Sequence, residues 1–343
     1  MTVTPADIQS AARVIAGVAD ATPLVPSPFL TARAGHEVLL KLEIAQPIGA
    51  FKLRGALNAI AGLDEGDEGG GGTGAGAGVT CCSTGNHGRG VAYAARARGL
   101  RAVICMSELV PQAKVDGIRA LGAEVRIVGT SQDDALAESQ RLVRDEGLVE
   151  ISPFDDPRVI AGQGTIGLEL LTARPDLDCL LIPLSGGGLA AGIAVAARAL
   201  RPDIRLIGLS MDRGAAMQAS LAAGHPVEVP EVPSLADSLG GGIGLNNRLS
   251  FALCRDLLDE VILVTEQEIY RAMQALYYED RIVAEGACVV GIAAILAGKV
   301  TVTGPTATII TGRNLDMAQH AAIMAGQDVQ MGEYTVKGSR YEP

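Results

Sequence analysis

The stretch LIPLSGGGLAAG, residues 181–192, reads as a buried strand, a turn carrying Gly186, Gly187 and Gly188, and the opening of a helix. Pro183, Ser185 and the three glycines interrupt its apolar run, so it does not read as a membrane span. A strand that feeds a helix through glycine is the repeating unit of a parallel α/β sheet. The backbone N–H groups at such a helix start favour an anion. The same residues satisfy the dinucleotide pattern G-x-G-x-x-A, and Asp212 follows the next strand, near where a ribose-binding acid would be sought. A phosphate cradle and a dinucleotide turn are both open on this segment alone.

Outward from it, short β-branched runs alternate with Ala/Leu/Arg-rich amphipathic segments. The pattern predicts strands at 38–43, 79–82, 102–106, 124–128, 179–183, 205–209, 261–264 and 306–310, with helices in the gaps, including 52–61, 87–98, 159–172, 189–200 and 286–297. At 343 residues the chain has room for two core-forming units or one large α/β domain. With 48% hydrophobic and 20% charged residues it belongs among packed proteins. Aromatic residues are only 3%, which argues against a base-stacking platform. A formal charge of −11 without a basic run argues against nucleic acid and anionic membranes as partners. Six cysteines without a Cys-x-x-Cys pair indicate neither zinc nor a disulfide framework and fit a reducing compartment. The first twenty residues lack the basic start and apolar block of an export signal, so a cytoplasmic location is expected.

Residues 62–78, GLDEGDEGGGGTGAGAG, hold nine glycines and four acids, a composition expected to form a flexible loop and most simply a surface insertion. The expected organisation is a large unit from 1–60 plus 152–325, the glycine-rich loop over 61–78, a small unit over 79–151 and a polar tail over 326–343.

Three further turns carry candidate chemistry. GAFKLRGA, residues 49–56, places Lys52, one of only five lysines, between Phe51 and Leu53 with small residues on both sides. The ordinary fate of such a lysine is the surface. In a crowded apolar site its pKa would fall and its amine could form an imine. CCSTGNHGRG, residues 81–90, follows a strand and opens a helix, so N–H groups of Ser83, Thr84, Gly85, Asn86 and His87 would make a nest for a carboxylate, or simply cap the helix. TIITGRN, residues 308–314, ends the last strand of the large unit with Thr311, a hydroxyl able to meet a ring nitrogen. Together the four turns provide an amine, a carboxylate nest, a phosphate cradle and a heterocycle partner at the carboxyl edges of the strands. Those are the needs of pyridoxal phosphate.

With these motifs the sequence resembles the serine/threonine dehydratase and serine racemase family, the fold-type II (tryptophan synthase β-like) pyridoxal-phosphate enzymes, from about Thr22 to Asn314. The resemblance implies two open, twisted, parallel-rich α/β domains with the cofactor in the cleft between them. It makes Lys52 the Schiff-base lysine, with Phe51 beside the ring and Asn86 on the ring hydroxyl. Ser185, Gly186, Gly187, Gly188 and Leu189 would hold the phosphate, Thr311 would partner the pyridine nitrogen, and Glu285 would also bind the cofactor. Residues 83–87 would bind the substrate carboxylate, with Thr84 a second group able to move a proton. Within the family, SLADSLGGGIGLNNR (234–248), SMDRGAAM (210–217) and TGRN bring the sequence nearest to the hydroxyectoine-utilisation dehydratases. The implied activity is elimination of water from a β-hydroxy amino acid or a hydroxyectoine-derived substrate, by a homodimer. An amino-acid racemase and a 3-hydroxyaspartate dehydratase are alternatives from the same family.

Ala50 replaces a common serine, Ser185 a glycine, and Arg89 and Arg313 stand where relatives carry Gln and Gly or Ala. These arginines are therefore candidate substrate-binding residues. A NAD-dependent oxidoreductase would use the G-x-G-x-x-A at 186–191 but leaves the other turns unexplained. A non-catalytic ligand sensor would have no need of Lys52. The positions that carry a divalent-cation site in some relatives hold Ser210, Gly214 and Ala216, which lack the carboxylates a hard ion needs, so no metal is expected. Activity should accordingly survive EDTA. A large loss that magnesium or calcium restores would contradict this reading.

Overall fold

The computed structural model describes residues 2–63, 75–83, 85–108, 110 and 112–342. Its strands are β1 Leu24–Pro26, β2 Val38–Leu42, β3 Val79–Cys82, β4 Ala102–Met106, β5 Glu124–Ile127, β6 Val149–Glu150, β7 Cys179–Pro183, β8 Arg205–Met211, β9 Glu260–Val264, β10 Thr306–Ile310, β11 Val329–Met331 and β12 Tyr334–Val336. Six of them form one sheet in the order β1-β2-β10-β7-β8-β9. It is parallel except where β1 runs against β2. Four more form a second, wholly parallel sheet in the order β5-β4-β3-β6. Parallel strands need crossover helices that cover both faces, which explains why β4, β7 and β10 are buried at every residue.

The eight expected strands are all present. The short strands β1 and β6 lacked a pattern long enough to read. The expected helix over 286–297 opens instead as a 3-10 turn, Gly286–Cys288, before the helix Val290–Leu296. A Cβ at Gly286 would lie 2.2 Å from the Leu235 carbonyl, so this turn is pressed against the loop that carries Leu235. Residues 326–342 are not the polar tail that their composition suggests. They contain the antiparallel pair β11 and β12, whose Val329, Met331 and Val336 join the core of the larger sheet. The alternation of only three buried apolar side chains among polar neighbours hid this hairpin. The glycine-rich loop expected over 61–78 lies mainly, at 64–74, outside the described residues. Among the described residues, no helix is long and apolar enough to cross a membrane.

The helix Lys52–Ala61 is the element that matters most for the site. Its Leu53, Ala56, Leu57, Ala59 and Ile60 share a core with Val79, Cys81, Val91 and Ile104 of the smaller sheet and its helices. Its other side is anchored by charge. Arg54 is 1% exposed, and its guanidinium donates to both Glu43 carboxylate oxygens at 2.8 Å and to Glu169 at 2.6 and 3.0 Å. Lys41 also pairs with Glu169, so two cations face two carboxylates in a nearly dry setting. Thr22 Oγ1 donates to Glu43 at 2.6 Å, and Arg54 further reaches the Asp20 carbonyl at 3.0 Å.

Such a network is most sensitive to losing one member, because the remaining charge stays buried. Arg54→Met should lower unfolding stability by about 3–5 kcal/mol, read from urea denaturation of the cofactor-free protein. A change below about 1 kcal/mol would show that Glu43 is solvated or protonated without loss.

Candidate active site

Lys52 begins its helix immediately after Phe51, the N-cap residue, and its amine donates to the Pro153 carbonyl at 2.6 Å. The same amine stands 5.3 Å from the centre of the Phe51 ring. The side chain keeps some exposed surface, but the amine itself is desolvated. Burial pulls its pKa down from 10.5 to about 8, a fall only partly opposed by Cys81.

The turn before Lys52 is stitched to the end of β10. Phe51 N–H donates to the Thr311 carbonyl at 3.0 Å, Arg313 N–H donates to the Gly49 carbonyl at 2.9 Å, and Ala50 bridges Gly312 in antiparallel fashion. Thr311 is 6% exposed, and its hydroxyl lies 3.2 Å from the Cys288 sulfur. That sulfur also donates to the Gly312 carbonyl at 2.9 Å and accepts the Gly312 N–H at 3.1 Å. Burial pushes the Cys288 thiol up to about 12, so it remains protonated at neutral pH.

Asn86 opens the helix Asn86–Ala97, and its amide nitrogen donates to both oxygens of the buried Glu285 at 2.9 and 3.0 Å. Its amide oxygen accepts from Asn314 Nδ2 at 2.7 Å. Glu285 further accepts Asn314 N–H at 2.8 Å and the Ser238 hydroxyl at 2.7 Å. The carboxylate-nest turn and the TGRN turn thus meet on one carboxylate. Gly312 must be small here, since a Cβ would lie 2.4 Å from Glu285 Oε1.

Within the nest, the Ser83 hydroxyl accepts Gly85 N–H at 3.3 Å, and Thr84 lies outside the described residues. His87 turns inward, where its Nε2 donates to the Ile151 carbonyl at 2.7 Å. Burial, with the nearby Lys52 charge, lowers its pKa to about 3, so the imidazole is neutral. The His87 imidazole is thus spent inside the fold. Arg89 is half-buried with its guanidinium against Gly117, and Arg313 is exposed with its side chain over Gly49.

The glycine turn closes the constellation. Gly187 has φ +91°, a left-handed conformation that glycine adopts without strain, and it caps the helix Gly188–Leu200. A Cβ at Gly186 would lie 2.2 Å from the Phe154 ring, and one at Gly188 would lie 2.8 Å from the Phe154 backbone. The turn therefore packs on the residue that follows Pro153, the acceptor of the Lys52 amine. Ser185 and Leu189 flank it, half-buried and buried respectively.

Several contributors were not legible beforehand. The segment 152–156 carries no motif in the sequence, although it touches both Lys52 and the glycine turn. Asn314 and Ser238 are polar residues in loops and carry no spacing signal. Cys288 sits in an apolar run that hides its role beside Thr311.

A family model described as pyridoxal-phosphate dependent enzyme matches residues 15–312. A protein of Sinorhizobium fredii, provisionally named a threonine dehydratase, is 55% identical over 306 residues, 89% of this chain and 90% of its own length. An L-threonine ammonia-lyase of Thermotoga maritima is 39% identical over 316 residues, 92% of this chain and 76% of its own. The solved structure of maize serine racemase matches with a TM-score of 0.86 at 31% identity, covering 95% of this chain and 98% of that one. The residues present fit the cofactor: a desolvated amine for its aldehyde, helix-start N–H groups for its phosphate, and a buried hydroxyl for its ring nitrogen. A dinucleotide in the same glycine turn would leave the Lys52 amine without a task.

The lowered pKa has a direct consequence. In the cofactor-free protein, labelling of Lys52 by a dilute amine-acylating reagent should rise through a midpoint near pH 8, where the neutral amine begins to dominate. Solvated lysines should follow at about 10.4, each resolved by peptide mass spectrometry. A Lys52 midpoint above 10 would mean that the amine is hydrated.

Proposed function

The chain belongs to the pyridoxal-phosphate dependent enzyme family, and from that premise we propose that it is a dehydratase, an ammonia-lyase that removes water from a β-hydroxy amino acid. The observation that carries this reading is the desolvated Lys52 amine, bound to the strap that covers the glycine turn. When bound, pyridoxal phosphate supplies the electron sink that makes the Cα proton removable.

The chain's residues supply the rest. The helix-start N–H groups of the 185–189 turn hold the phosphate, and Thr311, kept in place by Cys288, meets the ring nitrogen. Phe51 flanks the ring. Asn86, fixed between Glu285 and Asn314, offers its amide to the ring hydroxyl. The N–H groups of residues 83–87 orient the substrate carboxylate, and Thr84 stands as the second proton-handling group. Lys52, with a pKa near 8, is poised to take the Cα proton at near-neutral pH and return it later. The β-hydroxyl then leaves with a proton as water to give an enamine, which tautomerises to an imine that a second water hydrolyses to a keto acid and ammonia.

The likeness to maize serine racemase favours one second reading, in which the same Cα proton returns on the opposite face. The two reactions share every group named above and part on whether a β-hydroxyl leaves. We further propose the cleft between a large unit, 1–60 plus 152–325, and a small unit, 79–151, as the site, and a cytoplasmic homodimer as the working form.

For the substrate we propose a β-hydroxylated amino acid with a hydrogen-bond acceptor beyond Cβ, a hydroxyectoine-derived amino acid or 3-hydroxyaspartate. Arg313 supports it: its side chain crosses Gly49, three residues before Lys52, and a guanidinium reads planar acceptors bidentately. Arg89 is the second candidate, one turn into the helix that Asn86 opens.

The test is a panel of β-hydroxy amino acids assayed for ammonia and keto-acid release, with chiral analysis of recovered substrate. Elimination from at least one member is expected, and inversion without elimination would favour the racemase. Arg313→Gly and Arg89→Gln should reduce kcat/KM for the extended substrates by about tenfold or more while serine and threonine change little. Equal proportional losses on all substrates would remove the specificity role.

A further inference from the structure

We propose that Asp155 is a positioning residue that aims the backbone N–H groups of the glycine turn at the cofactor phosphate. The proposal rests on the reading of residues 185–189 as the phosphate cradle and adds how that cradle is held.

Asp155 lies in the strap between β6 and the helix Pro157–Ala173, directly after Phe154. Its carboxylate caps a different helix, Leu249–Leu257. Oδ1 accepts the N–H groups of Leu249 and Ser250, and Oδ2 accepts that of Arg248, all at 2.9 Å. The N-cap residue, Arg248, gives that helix no side-chain cap, and from its own loop Asn247 Oδ1 takes only the Phe251 N–H, at 2.9 Å. A carboxylate from 93 or more residues earlier in the chain fills the place.

What the capped helix start does is hold the glycine turn by its carbonyls. The Ser250 hydroxyl lies 2.7 Å from the Gly186 carbonyl, and Asn247 Nδ2 supports the same oxygen at 3.4 Å. The Gly187 carbonyl is taken by Ala191 N–H at 2.8 Å. In a planar trans peptide the C=O and the following N–H point in opposite directions. Pulling the Gly186 and Gly187 carbonyls toward 247–250 and the helix therefore turns the N–H groups of Gly187 and Gly188 the other way. Phe154 blocks any slide of the turn, since it already occupies the space where side chains at 186 and 188 would stand. One short strap thus sets both the seat of the loop, through Phe154, and its direction, through Asp155 and Ser250.

Equilibrium dialysis of the cofactor-free protein against pyridoxal 5'-phosphate and against pyridoxal, which lacks the phosphate, separates this role from a general structural one. The wild type should bind the phosphorylated form more tightly. Asp155→Ala should weaken binding of that form by about tenfold and leave pyridoxal within about twofold. Asp155→Asn, which keeps one acceptor oxygen, should fall between. Ser250→Ala tests the same chain of contacts without touching the strap, and should lose phosphate preference in the same direction. Equal losses for both ligands, or none, would overturn the proposal. A wild type that does not distinguish the two ligands would overturn the phosphate-cradle reading itself, and the proposal with it.

Discussion

The bond from the Lys52 amine to the Pro153 carbonyl ties the two halves of the site together. Lys52 belongs to a helix whose apolar face packs with the smaller sheet, whereas Pro153 lies in the strap 152–156, whose next residue, Phe154, covers the glycine turn after β7. A lysine amine keeps such a place only when its helix cannot rotate, because hydration of the ammonium would otherwise draw it outward. The Arg54 guanidinium, two residues along and forked onto Glu43 and Glu169, prevents that rotation. Buried charge here gives register rather than net stability, in keeping with the narrow balance between desolvation and pairing.

Each other turn is fixed to its neighbours by hydrogen bonds. Glu285 gathers Asn86, Asn314 and Ser238, so the small-sheet turn and the end of β10 cannot move independently. Cys288 occupies both backbone polar groups of Gly312 and lies beside the Thr311 hydroxyl. His87 spends its imidazole on the Ile151 carbonyl, one residue before the strap. Of Lys52, His87 and Cys288, only Lys52 is held near neutrality, with a pKa of about 8, while a neutral histidine and a protonated thiol serve as hydrogen-bond donors.

Much of this was legible because it is local. A strand, a glycine turn and a helix start follow one another in sequence, so the 81–90, 181–192 and 308–314 turns announced the parallel sheets. Lys52 stood out through rarity and small neighbours. The strap at 152–156 was illegible for the opposite reason. Its partners, Lys52, Gly186 and Ser250, lie far away along the chain, and contacts of that range leave no period or spacing behind. The hairpin of β11 and β12 was lost because three apolar residues in a polar setting are too few to define a face. His87 shows a further limit, since nothing in the sequence tells that its imidazole is a buried, neutral donor.

The account stands on covalent attachment of the cofactor to Lys52. Borohydride reduction of the cofactor-loaded protein, followed by peptide mass mapping, tests it directly. A reduced pyridoxyl group on the peptide that contains Lys52, and on none of the other four lysines, is the predicted result. Labelling at Lys41, Lys114, Lys299 or Lys337 instead, or no label in a protein that has bound the cofactor, would contradict it.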